Sequence, residues 1–464
     1  MSAERTARNR RWSDRLAGGV FAAWAYREHP GYARFRRDLE RTQFCSLPQL
    51  EQMQRERLGG LLRHAAARCP FYRERLRGVG DLAAGRWDAA AWQSLPLLTK
   101  RDLQDFGSEL EAEGYPPEGR TRNQTGGSTG SPVQYWVDRQ RFATRMASTQ
   151  RHDSWTGYRP GDWMATVWGA PLEAARGGRG WWEWCRKHLL YRSIELNTSS
   201  VGDGDWERFL SEVRRRRPRY LLAYASGAVE LAERVRRQGI EDIRFDAIIT
   251  SAEVLPAESR QTIESALGGR VYNRYGCREV SVIASECGEH AGLHVNAEAL
   301  LVEIVPMAGV AAPWGKVVIT DLLNRSMPLI RYEIGDVARW AEGPCPCGRG
   351  LPRLAEVQGR TADFLQLPDG RAVSGVALLT LGLADLSSVR QAQLVQRGAR
   401  EIVLKVVPSS GYDAGARAEL RSRVERYLQG SVPLRIEEVA AIAQAASGKY
   451  RFVVHESGAQ EEDR

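Results

Sequence analysis

The stretch from residue 220 to residue 275 constrains the fold most, because strand-like and helix-like segments alternate along it. Short apolar runs that suit buried strands are separated by longer segments whose apolar residues recur at helical spacing. The predicted order is strand 220–224, helix 226–238, strand 245–250, helix 257–267 and strand 271–275. Strands that are joined through helices run parallel, with the helices on the faces of the sheet. We therefore predict an α/β fold.

The length of the chain and a later change of pattern predict two domains. The chain has 464 residues, of which 43% are apolar, and this exceeds what one compact core usually holds. Beyond a Pro-, Gly- and Cys-rich segment at 343–352, a new order begins, with strand 401–407, helix 414–429 and strand 434–439. We predict a large N-terminal domain of layered sheets and helices, residues 1–360, and a small α+β C-terminal domain, residues 361–464.

A glycine- and hydroxyl-rich segment precedes a strand-like run at 133–137. Glycine lets the backbone approach phosphates closely, while hydroxyls and backbone N–H groups donate hydrogen bonds to anionic oxygens. The segment lacks the Gly-Lys-Ser/Thr ending of a Walker loop. Its composition fits either a phosphate-binding loop or a plain flexible turn. The segment consists of Thr125, Gly126, Gly127, Ser128, Thr129, Gly130, Ser131 and Pro132.

Polar residues also follow two neighbouring strands of the predicted sheet. Parallel α/β sheets hold ligands at the carboxyl ends of their strands, so these residues are expected on one rim. Each segment taken separately is a weak signal, and the pair is stronger because both contain a glutamate. The two segments contribute Ser251, Ala252, Glu253, Tyr275, Gly276 and Glu279.

A third acidic candidate is Asp336, which follows Gly335. Glycine allows a turn that would present this carboxylate, and a carboxylate can accept two hydrogen bonds from a ribose diol. An aspartate that only caps a turn is the alternative interpretation.

These segments, in this order and ending with Ser447-Gly448-Lys449, resemble the adenylate-forming superfamily. The resemblance is to the phenylacetate-CoA ligase-like branch, which includes capsule-biosynthesis adenylating proteins, and it spans roughly residues 50–452. It implies a large adenylate-forming domain and a mobile C-terminal lid domain. It also implies an enzyme that uses ATP and Mg²⁺ to convert a carboxylic acid, aromatic or arylacetic, to an acyl-AMP with release of pyrophosphate. Transfer to CoA or another nucleophile would follow.

The resemblance implies a role for each nucleotide-contacting segment. Residues 125–130 would orient the β and γ phosphates, and residues 251–253 with 275–276 would contact adenine. Glu279 would hold magnesium, and Asp336 would bind the ribose hydroxyls.

Two basic residues would complete the site. The resemblance places Arg360 at the joint between the domains, near the ribose and phosphate. Lys449 would bridge the carboxylate and the α-phosphate. A cation is needed there because two anions approach each other and charge builds on the phosphoryl oxygens.

The chain departs from the superfamily pattern at two positions. Arg278 stands where most members have Ser or Thr, and residues 359–363 read Gly-Arg-Thr-Ala-Asp where Gly-Arg-x-Asp-Asp is common. The acid and the acceptor therefore stay open: an amine acceptor or a small non-carboxylic acid is the alternative. A non-catalytic nucleotide-binding protein is disfavoured, because Glu279, Asp336 and Lys449 are all retained.

Three cysteines and a histidine predict a structural zinc site. Cys287-x-x-His290 and Cys345-x-Cys347 offer three thiolates and one imidazole, the ligand set of a closed tetrahedral centre. Related proteins with such cysteines can bind zinc, whereas the plain alternative is four unrelated residues in loops. His294 is a competing fourth ligand.

The tryptophan-rich segment 176–184 could form a lid over an apolar acid or anchor a surface loop. The formal charge of +9 suits polyanions such as ATP or CoA and also nucleic acid, but no nucleic-acid-binding motif accompanies it. Seven cysteines argue against a disulfide framework and predict a cytoplasmic location. The apolar stretch 16–26 is too short to span a membrane, so we expect no membrane partner. The oligomeric state, monomer or homodimer, stays open.

Overall fold

In the computed structural model, the chain divides into two compact units. The first unit comprises Met1–Glu303, Val318–Ile334 and Trp340–Glu356, and the second comprises Ile304–Val317, Gly335–Arg339 and Val357–Arg464. The predicted limits of 1–360 and 361–464 stay a prediction. The described residues are 12–81, 88–124, 133–169, 186–198, 201–360, 364–375, 378, 388–398, 401–409, 411–442 and 453–456.

The first unit begins with helices whose ends are set by local side chains. Cys69 separates two of them, because Pro70 lacks the N–H that would continue the preceding helix. Thr99 and Asp102 form a reciprocal capping box, with the Thr99 N–H donating to Asp102 at 2.7 Å. The helices are Trp12–Glu28, Tyr32–Thr42, Leu47–Arg68, Pro70–Arg75, Ala89–Ser94 and Lys100–Asp105.

A hairpin and a long helix come next. Strands β1 (Arg120–Gln124) and β2 (Gln134–Asp138) pair antiparallel, so the predicted strand at 133–137 is confirmed. The helix Arg139–Ser154 follows, capped by Asp138, which accepts a hydrogen bond from the Arg141 N–H at 2.6 Å.

Eleven of the described strands form one sheet. Its order is β10-β11-β12-β13-β9-β8-β7-β6-β5-β3-β4, and the five strands from β7 to β4 pair parallel. The predicted alternation at 220–275 is therefore confirmed as β5, β6 and β7 with the helices Ala225–Arg237 and Ala257–Leu267. The strands are β3 (Met164–Trp168), β4 (Ser193–Asn197), β5 (Tyr220–Tyr224), β6 (Ala247–Ser251), β7 (Arg270–Cys277), β8 (Ser281–Glu286), β9 (Leu293–Val295), β10 (Leu300–Pro306), β11 (Gly315–Asp321), β12 (Tyr332–Trp340) and β13 (Arg353–Arg360).

The core of the parallel region lies between these strands and the helices on one face. Strand residues such as Leu221, Ile248 and Val271 are fully buried against helix residues such as Leu231. Gly227 lets its helix approach the sheet, because a Cβ there would lie 2.9 Å from a Val167 methyl group.

The second unit contains a four-stranded sheet covered by the helix Ala414–Leu428. Its order is β18-β17-β16-β19, so the predicted strand, helix and strand at 401–439 are confirmed. A short pair, β14 and β15, precedes it. The strands are β14 (Phe364–Gln366), β15 (Ala372–Ser374), β16 (Val389–Arg397), β17 (Glu401–Pro408), β18 (Leu434–Glu438) and β19 (Val453–Glu456).

Among the helices that the structure describes, none combines the length and the apolar character needed to cross a bilayer.

Candidate active site

The carboxyl ends of β6 and β7 form a shared edge of the sheet. Ser251 closes β6 and pairs with Arg274 of β7, and its hydroxyl donates to the Arg274 carbonyl at 2.9 Å. Ala252 has a φ of 69°, so the chain leaves the strand in a sharp turn. The structure thus brings residues 251–253 next to Tyr275 and Gly276, as the strand order predicted. Their contacts with a nucleotide stay a prediction.

An acidic and aromatic wall adjoins this edge. The Glu253 carboxylate accepts a hydrogen bond from the Ser226 N–H at 2.8 Å, at the N-terminus of a helix, where the helix dipole favours negative charge. Tyr224 and Trp168 end neighbouring strands, and their ring centroids lie 4.2 Å apart. Burial and the nearby Glu253 charge raise the pKa of Tyr224 to about 12, so its hydroxyl stays protonated at neutral pH.

Gly276 lies where β7 and β8 approach most closely. The register between the two strands shifts between Tyr275 and Gly276. A Cβ at Gly276 would lie 2.6 Å from the Ser281 carbonyl oxygen, so a larger residue would push the strands apart. Glycine is therefore required for the turn that follows.

That turn, residues 278–280, carries Glu279 and is held through all three of its carbonyl groups. The Tyr135 hydroxyl donates to the Arg278 carbonyl at 2.5 Å, and the Arg145 guanidinium donates to the Glu279 carbonyl. The Arg141 guanidinium donates to the Val280 carbonyl at 3.1 Å. The Glu279 carboxylate in turn accepts from the Tyr332 hydroxyl at 3.2 Å. Contacts within the protein therefore hold the turn that carries the predicted magnesium ligand.

A buried ion pair anchors the two arginines. The Arg141 Nε lies 2.8 Å from both oxygens of Asp321, and neither side chain has any exposed surface. An Arg145 guanidinium nitrogen lies 3.9 Å from the same carboxylate. Sequence reasoning missed these arginines, because nothing local distinguishes them from the many other arginines of this chain. Their role follows only from the helix Arg139–Ser154 packing behind the turn.

For the remaining predicted site residues, the structure gives the position of Asp336, only the backbone of Arg360, and no description of the others. Gly335 has a φ of 84° but lies inside β12, so Asp336 belongs to a strand rather than to the predicted turn, in the part of β12 that falls in the second unit. Arg360 ends β13, and the structure describes only its backbone. The predicted phosphate loop 125–130, the tryptophan-rich segment 176–184 and Lys449 lie outside the described residues.

Three cysteines and one histidine form a cluster in the first unit. The ligand atoms of Cys287, His294, Cys345 and Cys347 all lie within 4.8 Å of one another. The Cys287 and Cys345 sulfurs are 3.8 Å apart, and the Cys347 sulfur is 3.4 Å from His294 Nε2. Ligand bonds of ~2.3 Å to sulfur and ~2.0 Å to nitrogen give tetrahedral edges of about 3.8 Å and about 3.5 Å. The spacing therefore fits zinc.

The sequence prediction preferred His290 as the fourth ligand. The structure corrects this, because it places His294 with the three cysteines. His290 N–H bonds to the Cys287 carbonyl across a tight turn, and its ring instead meets Glu286, with Nδ1 3.1 Å from a carboxylate oxygen. His294 lies on β9, which pairs with β8 and β13 and so holds the ring against the cysteines.

The electrostatics of the cluster suit a neutral imidazole ligand. Burial, aided by the Arg349 charge, lowers the pKa of His294 to about 4. Burial raises the pKa of Cys287 to about 12. Burial also acts to raise the pKa of Cys347, but hydrogen bonds from Arg349 outweigh it and lower that pKa overall.

Comparison with known proteins identifies the family. The phenylacetate-coenzyme A ligase of Thermus thermophilus is 30% identical over 329 residues, which cover 68% of this chain and 71% of that protein. The chain belongs to the phenylacetate-coenzyme A ligase family. The family prediction made from the order of the motifs is thereby confirmed, together with the prediction of an AMP-forming acid ligase.

Other similarities extend this assignment along the chain. Residues 365–456 match the family described as the CapK C-terminal domain. Protein CapK of Staphylococcus aureus is 21% identical over 445 residues, which cover 95% of both chains. The crystal structure of 2-hydroxyisobutyryl-CoA ligase in its postadenylation state aligns with a TM-score of 0.72 and 20% identity over 90% of this chain and 92% of that chain. The predicted α/β fold of an adenylate-forming ligase is confirmed.

Proposed function

We propose that this ligase joins a carboxylic acid to the α-phosphate of ATP, releases pyrophosphate, and passes the acyl group from acyl-AMP to a nucleophile. The observation that carries the proposal is the Glu279 turn, which is held through three carbonyl groups at the ligand-binding edge of the sheet. Such rigidity lowers the cost of organising a charged site during reaction.

Each residue in the proposed site has a physical task. Residues 251–253 and 275–276 would receive adenine, the hydroxyl-rich loop 125–130 the β and γ phosphates, and Asp336 the ribose. Glu279 would hold Mg²⁺, which neutralises phosphate charge when bound. Lys449 and Arg360 would supply the positive charge that offsets the meeting of two anions.

The acid that we propose is aromatic or arylacetic. The half-buried Trp168 ring, which packs against the buried Tyr224 ring at the strand ends, offers an apolar surface. CoA is the acceptor that we propose first. An amine or other non-CoA acceptor is the alternative.

The test is ATP–pyrophosphate exchange across a library of carboxylic acids, repeated with CoA and with amine acceptors. We expect exchange with one class of acid, and its loss in Glu279→Gln. Consumption of acyl-AMP by CoA or by an amine identifies the acceptor. ATP binding without exchange for any acid would instead support a non-catalytic nucleotide-binding protein.

We also propose that Cys287, His294, Cys345 and Cys347 bind a structural Zn²⁺. The tetrahedral spacing and the burial of three of the four residues support this. None of the six cysteines that the structure describes forms a disulfide, which supports the cytoplasmic location that we propose.

Zinc content gives a direct prediction. Protein purified without chelator is expected to contain near-stoichiometric zinc, and His294→Ala is expected to weaken zinc binding by at least ~10-fold, since even groups that only support a ligand cost that much. His290→Ala is the matched control and should keep its zinc. Elemental analysis with a competing chelator measures both. Equal zinc contents in the two variants, or no zinc in the wild type, would contradict the proposed zinc site with His294 as a ligand.

A further inference from the structure

The helix Trp12–Glu28 is apolar on two faces. Its inner face buries Phe21 and Ala25 against the neighbouring helices. Its outer face exposes four large apolar side chains, although a helix that is apolar all round is normally covered. The exposed fractions are 75% for Trp12, 59% for Leu16, 55% for Val20 and 52% for Tyr26.

These side chains form one continuous stripe. At 100° per residue, the four positions fall within a sector of about 120° on the helix surface. Gly19 and Ala23 are also exposed and lie at the centre of the sector. The stripe from Trp12 to Tyr26 is about 21 Å long, at a rise of ~1.5 Å per residue.

The apolar surface continues onto a neighbouring segment. Tyr191 packs on this helix, with ring centroids 6.1 Å from Phe21 and 5.8 Å from Trp24. Leu189, two residues earlier, is 54% exposed. Half of the ten large apolar side chains exposed in the described part of the chain therefore belong to this helix and its neighbour. Such a concentration marks an interaction surface.

Basic residues border the stripe. Arg15 lies just outside one edge of the sector and Arg27 just inside the other, and both are exposed, as is Glu28 at the end of the helix. Apolar side chains bordered by arginines, with Trp and Tyr at the ends of the stripe, suit the interface of a bilayer with anionic headgroups.

We propose that this helix binds the surface of an anionic lipid bilayer and lies in the plane of the interface. The proposal needs no membrane span and is independent of the proposed reaction. It revises the expectation of no membrane partner, which rested on the short apolar stretch 16–26 alone. A second copy of the chain fits less well, because one helix about 25 Å long buries far less than the ~800 Å² per partner of a stable dimer.

The test uses the full chain and sedimentation with vesicles of phosphatidylcholine alone or with added phosphatidylglycerol. We expect binding to the anionic vesicles that weakens as salt is raised. The double variant Leu16→Glu/Val20→Glu should bind them at least ten-fold more weakly. Tyr427→Glu, which changes an exposed apolar residue on the helix Ala414–Leu428, is the control and should bind like the wild type.

Three results would overturn the proposal. The first is failure of the wild type to bind anionic vesicles, and the second is equal binding by the wild type and the double variant. The third is a dimer mass in light scattering that the double variant reduces to a monomer, because the stripe would then be covered by a second copy. Unchanged circular dichroism of both variants excludes misfolding as the cause.

Discussion

Lys449→Ala is expected to slow acyl-AMP formation by ~10²- to ~10³-fold while leaving ATP binding mostly intact. The reason is that the proposed cation acts where charge develops as the carboxylate meets the α-phosphate, rather than where the adenine and ribose are bound. ATP–pyrophosphate exchange measures the first effect, and equilibrium ATP binding measures the second.

The control for this variant is Lys405→Ala, which removes a lysine from β17 in the same unit. It has no assigned role in the site and should keep the wild-type exchange rate. An unchanged rate in Lys449→Ala would remove this lysine from the mechanism. An equal loss in both variants would point to damage of the second unit instead.

Arg141→Met is expected to destabilise the fold by ~3–5 kcal/mol, because it removes the close cationic partner of the buried Asp321 carboxylate and leaves only the more distant Arg145. The variant also loses the hydrogen bond to the Val280 carbonyl, so the Glu279 turn loses one of its three supports. Urea unfolding measures the stability, and pyrophosphate exchange of the folded fraction measures the effect on the turn.

Two further variants sharpen this result. Arg141→Met/Asp321→Leu should recover only part of the loss, because the N–H groups of Leu323 and Asn324 also donate to Asp321 and would lose their acceptor. Arg101→Met breaks a solvent-exposed ion pair with Asp105 and should change stability little. Similar midpoints for Arg141→Met and Arg101→Met would contradict the assigned role of the buried pair.

The residues at the strand ends and the cysteine–histidine cluster show where sequence patterns were sufficient and where they were not. Short apolar runs predicted the strands at 220–275 and helical spacing of apolar residues predicted the helices, because each segment's burial leaves an apolar pattern in its own sequence. The strand order then placed residues 251–253 beside Tyr275 and Gly276. The spacing of the residues could not decide between His290 and His294. His290 lies in a turn with its ring against Glu286, whereas the pairing of β9 with β8 and β13 holds His294 near the cysteines.

The sequence by itself determined the α/β class, the order of the motifs and the family, because each is encoded within short stretches of neighbouring residues. Only the tertiary structure decided that Arg141, Arg145 and Tyr135 hold the Glu279 turn, that His294 joins the cysteines, and that one helix keeps an uncovered apolar face. Each of these depends on contacts between residues distant along the chain. Folding of the chain brings these distant residues together, so the pattern of neighbouring residues in the sequence cannot predict their contacts.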